Sequence, residues 1–170
     1  VAGFINGNRI FYDGIQARAT YGSKLSGLDL PGAVSLRGDF TYVRTRINDI
    51  TGVAPVRTDG VIGDPTLQGQ VNFSYNIADF GFNMSANYIG EQLFSRVTRG
   101  PGFREVDKLE SYWIFNPNIY FNVDKRFRLN FAITNRANYQ GQRYFGIILP
   151  ASNGADQLGR RFTVSVQGKF

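Results

Sequence analysis

Apolar and polar residues alternate along most of this chain. A period of two belongs to the β-strand, whose successive side chains point to opposite faces. Residues 9–21 set Phe11, Ile15, Ala17, Ala19 and Tyr21 against Tyr12, Gln16, Arg18 and Thr20. Residues 33–46 set Val34, Leu36, Gly38, Phe40 and Tyr42 against Ser35, Arg37, Asp39 and Thr41. Residues 66–77 set Leu67, Val71, Phe73, Tyr75 and Ile77 against Gln68, Gln70, Asn72, Ser74 and Asn76. Residues 81–94 begin with Phe82, Met84, Ala86 and Tyr88 against Asn83, Ser85 and Asn87. Three further segments, 111–123, 127–135 and 159–170, repeat the pattern around Trp113, Phe131 and Val164. The pattern predicts seven antiparallel strands. Pro117 has no N–H for a ladder, so a local bulge is expected there.

The connections alternate in length. Residues 78–80 and 124–126 are tight, 23–32 carries Gly and Pro, and 47–65, 95–110 and 136–158 are long. Short turns at one end and long loops at the other are the pattern of outer-membrane barrels. Asn6-Gly7 is a hairpin-turn signal, which would make residues 1–5 the stub of an eighth strand. Five residues cannot pair along a spanning strand of about ten. The expected product is an open, curved sheet with two edges.

An antiparallel sandwich also alternates, so three features decide the class. The apolar faces run for about 9–11 residues, the length a tilted strand needs to cross a bilayer. Aromatics gather near segment ends (Tyr21, Tyr42, Tyr75, Tyr88, Trp113, Phe121, Phe127, Phe162 and Phe170), as interfacial girdles do. The opposite faces carry Asn, Gln, Ser, Thr and Arg, which suits a wet lumen. The fold expected is an all-β, up-and-down transmembrane barrel segment.

Composition removes several chemistries. The 170-residue chain has no Cys and no His, which excludes disulfide scaffolds, thiolate zinc sites and His-based triads. Its net charge of +6 would suggest nucleic acid in a soluble protein, but the Arg residues fall singly along strands and loops. No nucleic-acid partner is expected. Residues 1–8 have neither a charged n-region nor an apolar h-region. No apolar run reaches the roughly 18 residues of a transmembrane helix. Glu105, Asp107 and Glu110 read as a solvated acidic cluster rather than a catalytic pair, and they lack a calcium-loop pattern. No catalytic residue, cofactor or metal site is expected, and the chain is not read as an enzyme. Arg96, Arg99 and Arg104 share one long loop and are candidates for meeting an anionic ligand, lipopolysaccharide or solvent.

The last strand resembles the terminal strand of outer-membrane proteins. Phe162, Val164, Val166, Gly168 and Phe170 stand where that group keeps alternate apolar residues ahead of a final Phe. The resemblance implies a signal read by the barrel-assembly machinery. More of the chain resembles the C-terminal third of a TonB-dependent receptor barrel. Tyr12-Asp13-Gly14-Ile15-Gln16-Ala17-Arg18-Ala19 is similar to a family strand, with Gln16 where Glu is usual. Leu36 to Tyr42 resembles the strand that follows. Asn87-Tyr88-Ile89-Gly90-Glu91 is similar to a strand end built on Tyr and Gly. Ile133-Thr134-Asn135 resembles a motif near the last loop, with Arg136-Ala137 in place of Leu-Phe and Tyr139 continuing it.

This likeness implies that residues 1–170 are the C-terminal portion of a plugged barrel of about 22 strands. It implies an outer-membrane receptor that takes up a scarce ligand, such as a ferric siderophore. The partners implied are outer-membrane lipid, a small-molecule ligand, and TonB acting through a plug domain that this chain does not contain. A self-contained small porin or adhesin-like barrel is one alternative. A soluble β-sandwich binding module is another.

Overall fold

Each of the seven alternating segments folds as a strand. The computed structural model describes residues 8–50, 54–97, 107–140 and 158–168. The strands are β1 (Asn8–Lys24), β2 (Ala33–Ile50), β3 (Val56–Arg57), β4 (Leu67–Ile77), β5 (Phe80–Ile89), β6 (Gln92–Leu93), β7 (Lys108–Leu109), β8 (Tyr112–Asn122), β9 (Phe127–Thr134) and β10 (Arg161–Gly168). The main sheet runs β1-β2-β4-β5-β8-β9-β10, with β3 on β2, and its pairings are antiparallel. β6 and β7 form a separate pair.

The predicted segment 81–94 is shorter than expected. Its strand ends at Ile89, and Gln92–Leu93 pairs with β7 instead. Gly90 closes the β4–β5 ladder, donating its N–H to the Leu67 carbonyl at 2.7 Å. A Cβ on Gly90 would stand 2.6 Å from that oxygen. The first two strands run past their predicted ends to Lys24 and Ile50.

Lys24 faces Ala33, and Ala33 faces Asn76, so the connections 25–32, 78–79 and 123–126 lie at one end of the sheet. The strand ends that lead into the connections 51–66, 90–111 and 135–160 lie at the other. Among the described residues β1 pairs only with β2, and β10 only with β9. Among these residues the sheet is open, with an edge at each side. The Asn6-Gly7 turn, residues 1–5 and Phe170 lie outside the described residues.

A bulge resets the period in β2. Asp13 faces Thr45 and Gly14 faces Val43, which leaves Arg44 as the extra residue. Up to Tyr42 the even-numbered residues of β2 are the apolar ones. Beyond Arg44 the parity inverts, and Arg46 moves to the polar face with Tyr12. Opposite the bulge the backbones nearly touch. A Cβ at Gly14 would stand 2.4 Å from the Tyr42 carbonyl oxygen, so only glycine fits.

The bulge expected at Pro117 takes another form. β5 and β8 pair in register straight through Met84 and Pro117. The β8–β9 ladder instead ends at Asn118. The Phe115 carbonyl accepts from Arg136, so odd residues here turn their backbone groups toward β9. The N–H that Pro117 lacks would have pointed that way. Beyond it, Asn116 Oδ1 accepts the Asn135 N–H at 2.8 Å in place of the ladder.

Two glycines in the sheet are covered by aromatic rings. Phe40 lies over Gly69, and Tyr120 lies over Gly81. The Tyr120 hydroxyl donates to Asn76 Oδ1 at 2.6 Å, and the Arg128 guanidinium sits 4.4 Å from the ring centre. A Cβ at Gly81 would stand 2.1 Å from Tyr120 Cε1. Gly81→Ala should therefore displace the ring and cost about 1–3 kcal/mol. In a Tyr120→Ala background the same substitution should cost much less. Equal costs in both backgrounds, from denaturant unfolding, would show that the ring does not lock the glycine.

Candidate functional site

Paired residues in a sheet project to the same side, so the register assigns each side chain to a face. One lateral row reads Ala17, Phe40, Gly69, Tyr88 and Trp113. Another reads Val34, Tyr75, Phe82, Ile119, Phe131 and Val164. From Ile15 on β1 to Val166 on β10, between the bulge and the short turns, this face carries no charged residue. It is also uncovered. Ile15, Tyr21, Phe121, Phe162 and Val164 stay between 49% and 73% exposed. The first charges on this face come at the bulge, where Arg44 pairs with Asp13.

The opposite face is polar. One row reads Arg18, Asp39, Gln70 and Asn87, and another Ser35, Ser74, Asn83, Asn118, Ala132 and Thr163. Asp39 accepts from both Arg18 and Arg37, the two arginines that the alternation sets opposite the apolar residues. Beside them Gln16, Gln68, Gln70 and Asn87 line a depression of about 630 Å³.

This polar face has apolar exceptions, and the chain covers them. Ile89, Tyr112 and Ile114 lie on it at the long-loop end. Tyr139 packs over them, its ring stacked on Tyr112 at 4.5 Å between centres. Asn135 shapes the turn that brings Tyr139 in. Fully buried and at φ 54°, it exchanges hydrogen bonds with both backbone groups of Tyr139. This gives a physical role to the Asn of the sequence motif near the last loop. Tyr112 and Ile114 on the polar face are thus buried under the protein's own loop, while Ile15, Tyr21, Phe121, Phe162 and Val164 on the apolar face are left open.

No family model, curated protein or solved structure matches this chain.

At the loop end a buried carboxylate ties two connections together. Asp59 is 1% exposed. It accepts the Arg46 backbone N–H at 3.0 Å and Arg57 Nε at 2.8 Å, and it pairs with Arg96. Arg96 Nε also donates to the Asp59 carbonyl at 2.6 Å. The Arg46 side chain, turned to this face by the bulge, pairs with Asp64. Buried Gln92 accepts the Gly63 N–H at 2.9 Å, and the Leu93 N–H reaches the Gly60 carbonyl at 2.6 Å. Residues 58–64 and 92–96 are fastened as one unit.

The guanidinium of Arg96, one of the three loop arginines, is therefore committed to Asp59. Its companions Arg99 and Arg104 lie outside the described residues, as does Glu105. Phe162, Val164, Val166 and Gly168 all occur on β10, which is exposed along its length. Sequence reasoning missed Asp59. The available signal was Asp59-Gly60 and Asp64-Pro65 flanking a turn, but nothing local pairs them with Arg96.

Burial alone would raise the Asp59 carboxyl pKa. Hydrogen bonds from Arg57 and the Arg46 amide, with the charges of Arg96 and Arg57, outweigh it and hold the carboxyl below its ordinary value. The cluster thus contributes stability above the ordinary carboxylate pKa of about 4 and loses it as pH falls through the depressed value. Asp59→Ala should open the loop unit at neutral pH by about 1–3 kcal/mol, through the unpaired donors it leaves. Hydrogen exchange at the Ile62 and Leu93 amides reads this directly. Protection unchanged in the variant would remove Asp59 as the tie.

Proposed function

We propose that this sheet is a section of an outer-membrane β-barrel wall, of the kind found toward the C-terminus of a TonB-dependent receptor. The observation that carries the reading is the asymmetry between the faces. Between the bulge and the short turns an uncharged apolar surface spans the sheet and is left uncovered among the described residues, while on the polar face Tyr112 and Ile114 are covered by Tyr139. Contiguous apolar surface of this extent is unstable in water and marks contact with a membrane or a partner. β4, β5 and β8 are 11, 10 and 11 residues long, the span of a tilted transmembrane strand. Tyr88 and Trp113, 5.0 Å apart between ring centres, stand near the loop-side ends of β5 and β8, where an interfacial girdle belongs.

In this reading the apolar face meets outer-membrane lipid and the polar face meets water or a plug. The long loops stand outside the cell. The protein takes up a scarce ligand such as a ferric siderophore, with energy delivered by TonB through a plug outside this chain. Arg99 and Arg104 are candidates for ligand contact. Arg96 serves as a loop tie. The soluble sandwich alternative requires a second layer over the apolar face. A small closed barrel requires β1 to bond β10.

The faces predict opposite tolerances. Val164→Arg or Phe131→Arg should destabilise the assembled barrel by roughly 2–4 kcal/mol, as an arginine near the bilayer midplane does. Ser165→Arg and Asn130→Arg, their neighbours on the polar face, should cost much less. Folding into lipid vesicles measures both classes, and equal costs would sink the face assignment.

The terminal strand predicts an assembly phenotype. Deleting Phe170 should lower the amount of protein in the outer membrane without changing the ligand affinity of the fraction that assembles. Normal outer-membrane levels would count against the signal.

A further inference from the structure

At the long-loop end Arg44, Arg46, Arg57, Arg96 and Lys108 pair with Asp13, Asp64, Asp59 and Glu91. At the other end, Lys125 and Arg126 occupy the turn between β8 and β9, and both are exposed. Neither pairs with a carboxylate among the described residues. The nearby Asp124 is occupied otherwise, accepting the Arg126 and Phe127 backbone N–H groups at 2.6 and 2.8 Å. Apolar residues border these two cations. Val123 and Phe127 close the hairpin on the uncharged face, the Val123 N–H donating to the Phe127 carbonyl at 2.9 Å. They are 55% and 39% exposed.

We propose that the β8–β9 turn is a binding site for the phosphate headgroup of an anionic membrane lipid, with Lys125 and Arg126 as its cationic contacts. The inference rests on the membrane reading above. A phosphate alone would need the cations only. A phospholipid also needs apolar surface directly below its headgroup, and Val123, Phe127 and Phe121 supply it on the adjoining face. Long basic stems at the border of an apolar band can lie along it while their charged ends reach the headgroup layer. Arg128 is held back from the site, since its Nε donates to Asn122 Oδ1 at 2.7 Å and its guanidinium covers the Tyr120 ring. It adds positive field without a dedicated contact.

The test is lipid selectivity of the full-length protein, extracted from its membrane and reconstituted in phosphatidylcholine vesicles. Electron spin resonance compares the association of spin-labelled phosphatidylglycerol with that of spin-labelled phosphatidylcholine. A basic side chain near an anionic membrane surface is worth about fivefold in association, so two should give roughly a twenty-five-fold preference for phosphatidylglycerol. Lys125→Gln with Arg126→Gln should abolish the preference, and Lys125→Arg with Arg126→Lys should keep it. Lys24→Gln, a cation at the same end but on β1, should leave it unchanged. Equal association of the two lipids, or a preference that survives the double Gln variant, would overturn the site. Displacement of the labelled lipid by millimolar inorganic phosphate would reassign it as a free-phosphate site and overturn the lipid assignment. A wild-type protein that fails to enter vesicles at all would instead overturn the membrane reading. Entry without selectivity would leave that reading intact and remove only the headgroup site.

Discussion

A β-strand presents two faces at a period of two, and a slip of one residue exchanges them. The organisation of this protein depends on holding that period in register across seven strands. Held, it gathers Ala, Val, Leu, Phe, Tyr and Trp side chains from β1 to β10 onto one side and amides, hydroxyls and arginines onto the other. The result is a single layer with two unlike faces. Such a layer cannot build the enclosed core of a water-soluble domain from itself alone. Its few buried apolar residues are Val43, Ala86, Leu109, Tyr112 and Ile114 among those described.

The departures from regularity serve the period. Arg44 is inserted where β2 leaves the apolar band, and it turns the next arginine to the polar side instead of leaving it among apolar neighbours. Gly14 accommodates the close backbone approach that this requires. Pro117 sits with its missing N–H toward β9, at the point where that ladder ends, so the β5 side pairs without interruption. Tyr120 and Phe40 fill the space that Gly81 and Gly69 leave open in their neighbours' faces. Each irregularity places a charge, a missing donor or a gap where the sheet can tolerate it.

The two ends of the sheet are built for different work. At the long-loop end, buried Asp59, Gln92 and Asn135 collect backbone and guanidinium donors, and the loops form a hydrogen-bonded cover over part of the polar face. A buried carboxylate is stable only with such a set of partners, which makes the cover specific in shape and sensitive to loss of any one of them. At the short-turn end the β4–β5 and β8–β9 connections are tight, and the β8–β9 turn leaves its cations exposed.

The sequence by itself determined the seven strands, their antiparallel order, the two faces and the alternation of short and long connections. All of these are local: they follow from the period of two and from turn residues within a few positions of each other. It also located Arg18 and Arg37 on the polar side. The tertiary structure decided what depends on partners distant in sequence. The bulge at Arg44 exists because β1 and β2 pair in a particular register, and the hydrophobic pattern of either strand alone does not reveal it. Strand β5 ends at Ile89 because Gly90 meets Leu67, and Gln92–Leu93 finds β7 instead. Arg96, which stands in its loop as a free cation when read along the chain, becomes the partner of Asp59, 37 residues away. Ion pairs between loops are fixed by where the strands deliver the loop ends, and that delivery is a property of the whole sheet.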